Sequence, residues 1–244
     1  MDLENATLRH HWRFNGNLAD SVGTADFIYS NNELPTRYKA NKDGILDTAL
    51  DNSLGNKTHW SEIVTGIGSK YTMSAWCQRP VEPNFTFAQT LSFGIELEAG
   101  FSLLERYITV QYKPLAGLIV SYPSTVAKGD WFHLVVVYDS TIQEVNVYIN
   151  KDKVFTRNNS DSSVEMRPIE DSGYCLNCGV LGNTIRQYGN IANVDEIKIY
   201  EGCLTEEEIV ELYFTGVNNI KAPKDLILNV VEDDTVQLFW KRGG

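Results

Sequence analysis

Two glutamates at alternate positions in Ile95-Glu96-Leu97-Glu98-Ala99-Gly100 are the first arrangement in this sequence to test for chemistry. Side chains alternate between the two faces of a strand, so Glu96 and Glu98 would share one face, as an acid and a nucleophile acting on one sugar must. No aromatic platform flanks the pair, and an exposed strand face explains both carboxylates without catalysis. The four histidines, His10, His11, His59 and His133, lie in no triad-like or metal-like spacing. His133 sits inside the apolar run Trp131 to Asp139, where a hydrogen-bonded structural histidine is expected. Cys175-Leu176-Asn177-Cys178 has redox or zinc spacing, yet no second pair and no histidine at ligand distance completes four ligands. With Cys77 and Cys203 these read as free thiols, because four ill-matched cysteines do not make a disulfide scaffold. Asn56, Asn84 and Asn158 open glycosylation triplets, which carry weight only in a secreted chain.

The elements that must position these residues read as all-β. The chain has 244 residues, 43% of them hydrophobic and 11% aromatic, enough for a packed core and incompatible with disorder. A formal charge of -11 opposes a phosphate-backbone partner. No apolar run approaches the roughly 18 to 20 residues that span a bilayer, so no membrane insertion is expected. Met1 to Thr7 lacks the basic start and apolar stretch of a secretory signal. Short runs of Val, Ile, Tyr, Phe and Trp alternate with polar residues and stop at Gly, Asn, Asp or Pro. Strands are expected over 8–14, 71–78, 87–93, 107–112, 117–122, 131–139, 144–149, 178–181 and 192–200, a spacing that suits two packed antiparallel sheets. The run 131–139 is apolar at nearly every place, so both of its faces should be covered. Its partner alternates, with Val145, Val147 and Ile149 on one face and Glu144, Asn146 and Tyr148 on the other.

One helix is signalled, over Leu204 to Tyr213. Thr205 is the N-cap with Glu208 as capping-box partner, Leu204 and Ile209 form the staple, and Gly216 supplies the stop. Glu206, Glu207 and Glu208 suit the positive end of the helix dipole, so this acidic cluster is helix chemistry before it is a binding site. Two units follow: residues 1–216 as one domain, and 217–244 as a linker with two short strands, either a docking segment or the start of a further domain.

Several segments together resemble the concanavalin A-like jelly roll, in its laminin G-like branch. His11-Trp12-Arg13-Phe14-Asn15-Gly16-Asn17-Leu18-Ala19-Asp20-Ser21 is similar to that family's first strand and polar turn, and Tyr71-Thr72-Met73-Ser74-Ala75-Trp76 to a strand ending in Ala-Trp. Asp130 to Asp139 and Asn193-Val194-Asp195-Glu196-Ile197-Lys198-Ile199-Tyr200 resemble its most recognisable and its closing strands. The tail from Ala222 to Trp240 resembles the first two strands of a fibronectin type III domain.

The resemblance implies further expectations. Jelly rolls of this type often hold calcium between the first polar turn and the last strand; by position its carboxylate ligands here would be Asp20 and Asp195. Ligands are held on loops or on a sheet face by exposed aromatics, for which Trp60, Tyr107, Tyr112, Tyr122 and Tyr188 are the candidates, while Trp12, Trp76 and Trp131 read as core. The superfold includes laminarinase-type hydrolases, but the third acid of their catalytic strand is absent beside Glu96 and Glu98. The expected function is a non-catalytic recognition or structural module: a decoration or attachment protein on a virion surface, binding a protein partner in an assembly or a surface glycan. The missing export signal, the unpaired cysteines and a tail able to dock by strand addition favour that version. The alternatives are a carbohydrate-binding or adhesion domain of an extracellular bacterial surface protein and, second, a glycoside hydrolase.

Overall fold

The structure is a computed structural model; it describes residues 5–29, 38–46, 49–50, 59–79, 81, 90–93, 99–103, 106–113, 116–158, 175–179, 193–217, 227–231 and 235–239. In chain order the strands are β1 (Thr7–Trp12), β2 (Phe27–Tyr29), β3 (Tyr38–Lys39), β4 (Ala49–Leu50), β5 (His59–Ile63), β6 (Lys70–Gln78), β7 (Thr90–Phe93), β8 (Ala99–Leu103) and β9 (Tyr107–Lys113). They continue as β10 (Ala116–Ser121), β11 (Trp131–Asp139), β12 (Glu144–Ile149), β13 (Asp152–Asn158), β14 (Cys175–Gly179) and β15 (Val194–Glu201). Helix α1 (Glu206–Val217) and the hairpin strands β16 (Ile227–Val231) and β17 (Thr235–Phe239) complete the order.

Two antiparallel sheets make a jelly-roll sandwich. The eight-stranded sheet runs β13-β12-β11-β6-β15-β4-β3, with β1 also on β15; the seven-stranded sheet runs β10-β9-β8-β7-β14-β5-β2. The pairing of β1 with β15, His11 opposite Lys198 and Trp12 opposite Ile197, joins the beginning of the domain to its closing strand. Between the sheets lie Trp12, Phe14, Tyr71, Phe101, Phe132 and Tyr138, each at most 1% exposed. Burying side chains of this size supplies about 1.5–3 kcal/mol apiece, the main force holding the layers together. The Tyr71 and Tyr138 rings stack at 4.6 Å, and the Tyr138 hydroxyl donates across the sandwich to the Gly100 carbonyl at 3.1 Å. A buried phenol needs such a partner, and this one fixes β11 against β8.

The run 131–139 is covered on both faces, as its composition requires. On its outer side Val135 and Val137 join Tyr148 and Tyr200 beneath Leu204, Ile209 and Leu212 of the helical segment. Thr205 caps α1 reciprocally: its hydroxyl accepts from the Glu208 amide at 3.2 Å, and the Glu208 carboxylate accepts from the Thr205 amide at 2.8 Å. Gly216 does not stop the helix, which runs through it to Val217. Its role is close approach: a Cβ there would stand 2.7 Å from the Trp76 indole nitrogen. Trp76 itself is buried on the outer face, its ring 5.2 Å from His133 and 5.7 Å from Tyr213, which also meet each other at 6.2 Å. Trp131, expected in the core, is half-buried. The expected strand over 87–93 is described over Thr90–Phe93, and residues 82–89 lie outside the described ones.

Candidate functional site

The polar turn after β1 folds around one carboxylate. Asp20 Oδ1 accepts from the amides of His11 (2.9 Å), Val22 (3.2 Å) and Gly23 (3.0 Å). Oδ2 accepts from His10 Nδ1 at 2.6 Å and from the Ala25 amide at 3.2 Å. Burial pushes this carboxyl upward, but the His10 bond and the amides of His11, Gly23 and Val22 override it and hold the group at about 2. A short antiparallel bridge between Trp12 and Asp20 and the Trp12 indole bond to the Ala25 carbonyl, 2.7 Å, close the turn onto the core.

Asp195 sits in different chemistry. It is 2% exposed and accepts the Glu196 amide at 2.8 Å, in a stretch where β15 bulges between Asp195 and Lys198. Burial, then the adjacent Glu196 carboxylate, push Asp195 up to about 8. Glu196 occupies the left-handed region at φ 51°, and its carboxylate meets His11 Nε2 at 2.7 Å and Lys198 at 3.4 Å. Burial pushes Glu196 upward too, yet the His11 bond and the Lys198 charge hold it at about 2.

Calcium asks for free carboxylate and carbonyl lone pairs. The Asp20 oxygens are spent on N–H donors, so that donor set does not fit the ion, and Asp195 shares no hydrogen-bond partner atom with Asp20. Among the described residues no group of three or more His, Cys, Asp or Glu side chains is placed to hold a metal ion.

The aromatic candidates separate. Tyr122 packs on the core, edge-on to Phe132 at 5.4 Å with the Arg79 guanidinium 4.3 Å above its ring, and its hydroxyl is buried. Burial pushes that phenol's pKa well up. Tyr107 is half-buried on β9, opposite Ser121 of β10. Tyr112 lies on β9 and Trp60 on β5, where only the backbone is described; Tyr188, Glu96 and Glu98 lie outside the described residues.

The register of the seven-stranded sheet brings together residues that sequence spacing kept far apart. One row crosses all its strands: Ile28, Trp60, Asn177, Ser92, Gly100, Gln111 and Gly117. Beside it runs a second row, Ser102, Thr109 and Ile119. Ile28 is 44% and Ile119 66% exposed at the two ends of this face, with Gly100 buried between them, whereas the outer face of the other sheet is capped by α1. Asn177, Gln111 and Thr109 were missed in the sequence because each is an ordinary polar residue of its own strand. Only the pairing of β5, β14 and β7, which are distant in sequence, lines them up.

His133, by contrast, stands where its apolar run placed it: 2% exposed, bonded from Nε2 to the Ser74 hydroxyl at 2.7 Å, and pushed down to about 3 by burial and by Lys198. Cys203 is a free thiol, and burial with the Asp139 charge pushes it up to about 11, an inert range. A shallow depression between Asn5, Thr7, Ser69, Lys70 and Glu201 has no aromatic in its lining, and its Lys70 is already paired with Asp139 at 2.8 Å. No helix among the described residues is long and apolar enough to cross a membrane.

Known proteins give the same architecture. Domain 4 of AbnA, an extracellular arabinanase of Geobacillus stearothermophilus solved with arabinotriose, superposes with a TM-score of 0.63 at 20% identity, over 86% of this chain and 100% of that one. The binding domain of Paraclostridial Mosquitocidal Protein 1 gives 0.64 at 16%, over 88% of this chain and 53% of that one. The botulinum neurotoxin serotype D ligand-binding domain, solved with N-acetylneuraminic acid, gives 0.62 at 12%, over 85% and 50%. The chain thus spans the whole of the arabinanase domain and about half of each toxin domain. No protein of curated function matches the sequence significantly. Residues 51–210 match the laminin G-type family model described as the concanavalin A-like lectin/glucanases superfamily, and with that span, well over half its length, the chain belongs to this superfamily.

Proposed function

We propose that this protein is a non-catalytic carbohydrate-recognition module, holding a surface glycan on the open face of the seven-stranded sheet. The observation that carries the reading is the asymmetry of the sandwich: α1 covers one outer face, while the other presents exposed Ile28 and Ile119 and a register row in which Trp60 and a run of amide, hydroxyl and glycine positions follow Ile28. Sugars are recognised by that combination, an aromatic or aliphatic surface for the ring and amide groups for the hydroxyls. Arabinotriose and N-acetylneuraminic acid bound to the neighbouring domains support the class of ligand. A glycan array tests it. Wild type is expected to bind a defined subset of glycans, with Trp60→Ala and Tyr107→Ala weakening binding at least tenfold at unchanged melting temperature. Binding to no glycan, or hydrolysis of one, would overturn it.

A second reading, display in an assembly such as a virion surface, is favoured by the hairpin β16–β17, which among the described residues pairs with no strand of either large sheet. Two strands alone are marginal in water and offer free edges to a partner. Deleting residues 221–244 should then leave a folded, glycan-binding core that no longer joins its assembly; normal assembly of the truncated chain would refute this reading.

A further inference from the structure

We infer that the turn around Asp20 is a metal-free clasp, in which N–H donors and the His10 ring take up the carboxylate oxygens that a divalent cation held between the first polar turn and the last strand would need. The inference is independent of the ligand reading and rests on the hydrogen-bond count. A carboxylate offers about four lone-pair sites. Five N–H groups aim at the two oxygens of Asp20: amides of His11, Val22 and Gly23 on one, His10 Nδ1 and the Ala25 amide on the other. A cation approaching either oxygen would have to displace a donor already buried with it, leaving an amide unpaired. The Asp20 side chain is 0% and that of His10 5% exposed.

The His10 ring meets an acceptor at each nitrogen. His10 Nδ1 faces the Asp20 carboxylate at 2.6 Å and Nε2 faces the Thr65 carbonyl at 3.1 Å. Both partners can only accept, so the ring satisfies both as a donor at each nitrogen. The ring also stacks on Trp12 at 5.5 Å with planes 8° apart, which fixes its tilt toward Asp20. Three pieces of chain therefore converge on one buried pair: β1, the turn 18–26, and the segment ending at Thr65.

Gly23 completes the clasp through the space it leaves. A Cβ there would stand 2.5 Å from Asp20 Oδ2, 2.6 Å from His10 Nδ1 and 2.8 Å from the Arg9 carbonyl. All three atoms are held, two by their mutual bond and one by backbone, so none can step aside. The position is filled by the His10–Asp20 pair itself, and a side chain has no room there.

The test is calorimetry on the full chain stripped with EDTA. Titration of calcium into wild type is expected to give no heat assignable to this site, and millimolar calcium to leave the melting temperature within about a degree. Asp20→Asn and Gly23→Ala should each lower the melting temperature by at least about 5 °C, unrepaired by calcium. A calcium-induced rise present in wild type and absent from Asp20→Asn would overturn the clasp, as would variants that melt like wild type. If neither variant folds, amide spectra of wild type decide alone. Resonances of His11, Val22, Gly23 and Ala25 unmoved by calcium support the clasp, and shifts concentrated on them refute it.

Discussion

Asp20 and Asp195 are both buried aspartates on the same domain, yet their surroundings drive them in opposite directions. Donors hold Asp20 at about 2, while burial and the Glu196 charge raise Asp195 to about 8. The folded state thus keeps a proton on Asp195 that the unfolded chain releases near its ordinary 3.8. Stability contributed by that proton is complete at acidic pH and is lost as pH rises from about 4 through about 8, at up to about 1.4 kcal/mol per pH unit. Asp20 and Glu196 work the other way: their folded values are depressed, so their contribution is present above about 4 and lost as pH falls toward about 2. Thermal melts across pH 5 to 9 should show Asp195→Asn losing the alkaline fall and melting higher than wild type at pH 9. A parallel fall in wild type and variant would refute this assignment. The sequence marked both aspartates as noteworthy by their places in the polar turn and the closing strand. It could not reveal their charge states, because the donors to Asp20 and the bulge at Glu196 arise only once the backbone has folded.

At the scale of elements, α1 shows how much a local pattern can and cannot reveal. Thr205, Glu208, Leu204 and Ile209 predicted the start, the cap and the docking face, because capping and staple interactions are local in sequence. Gly216 misled, since glycine near a helix end reads as a stop, while its actual reason, the indole of Trp76, lies far away in the chain. Gly216→Ala tests the difference. Helix propensity alone would stabilise it by up to about 1 kcal/mol. A Cβ 2.7 Å from an indole packed in a cluster with two other rings forces a shift costing about 1–3 kcal/mol. Denaturant unfolding should therefore show a net loss of about 1 kcal/mol, and a net gain would mean that Trp76 yields. The strands divide along the same line. Long apolar runs such as β6 and β11 were legible, but β3, β4 and β2, two or three residues each, exist through their pairing and carry no pattern of their own.

For the whole molecule, the closure of β1 on β15 was legible through the resemblance of these stretches to the family's first and closing strands, and it makes the sandwich that everything else hangs on. The division of labour between its two outer faces was not legible. It follows from where α1 docks and from the register of strands drawn from positions as distant as Ile28 and Asn177. That division is the core of the functional proposal: one face sealed by a helix, the other left to hold a ligand. Amide chemical-shift mapping with a glycan bound by the wild-type protein tests it most directly. Shifts gathered on the row from Ile28 and Trp60 through Ser92 and Gly100 to Gln111, with Thr109 and Ile119 beside it, are the predicted result. Shifts gathered instead around α1 and the eight-stranded sheet would contradict it.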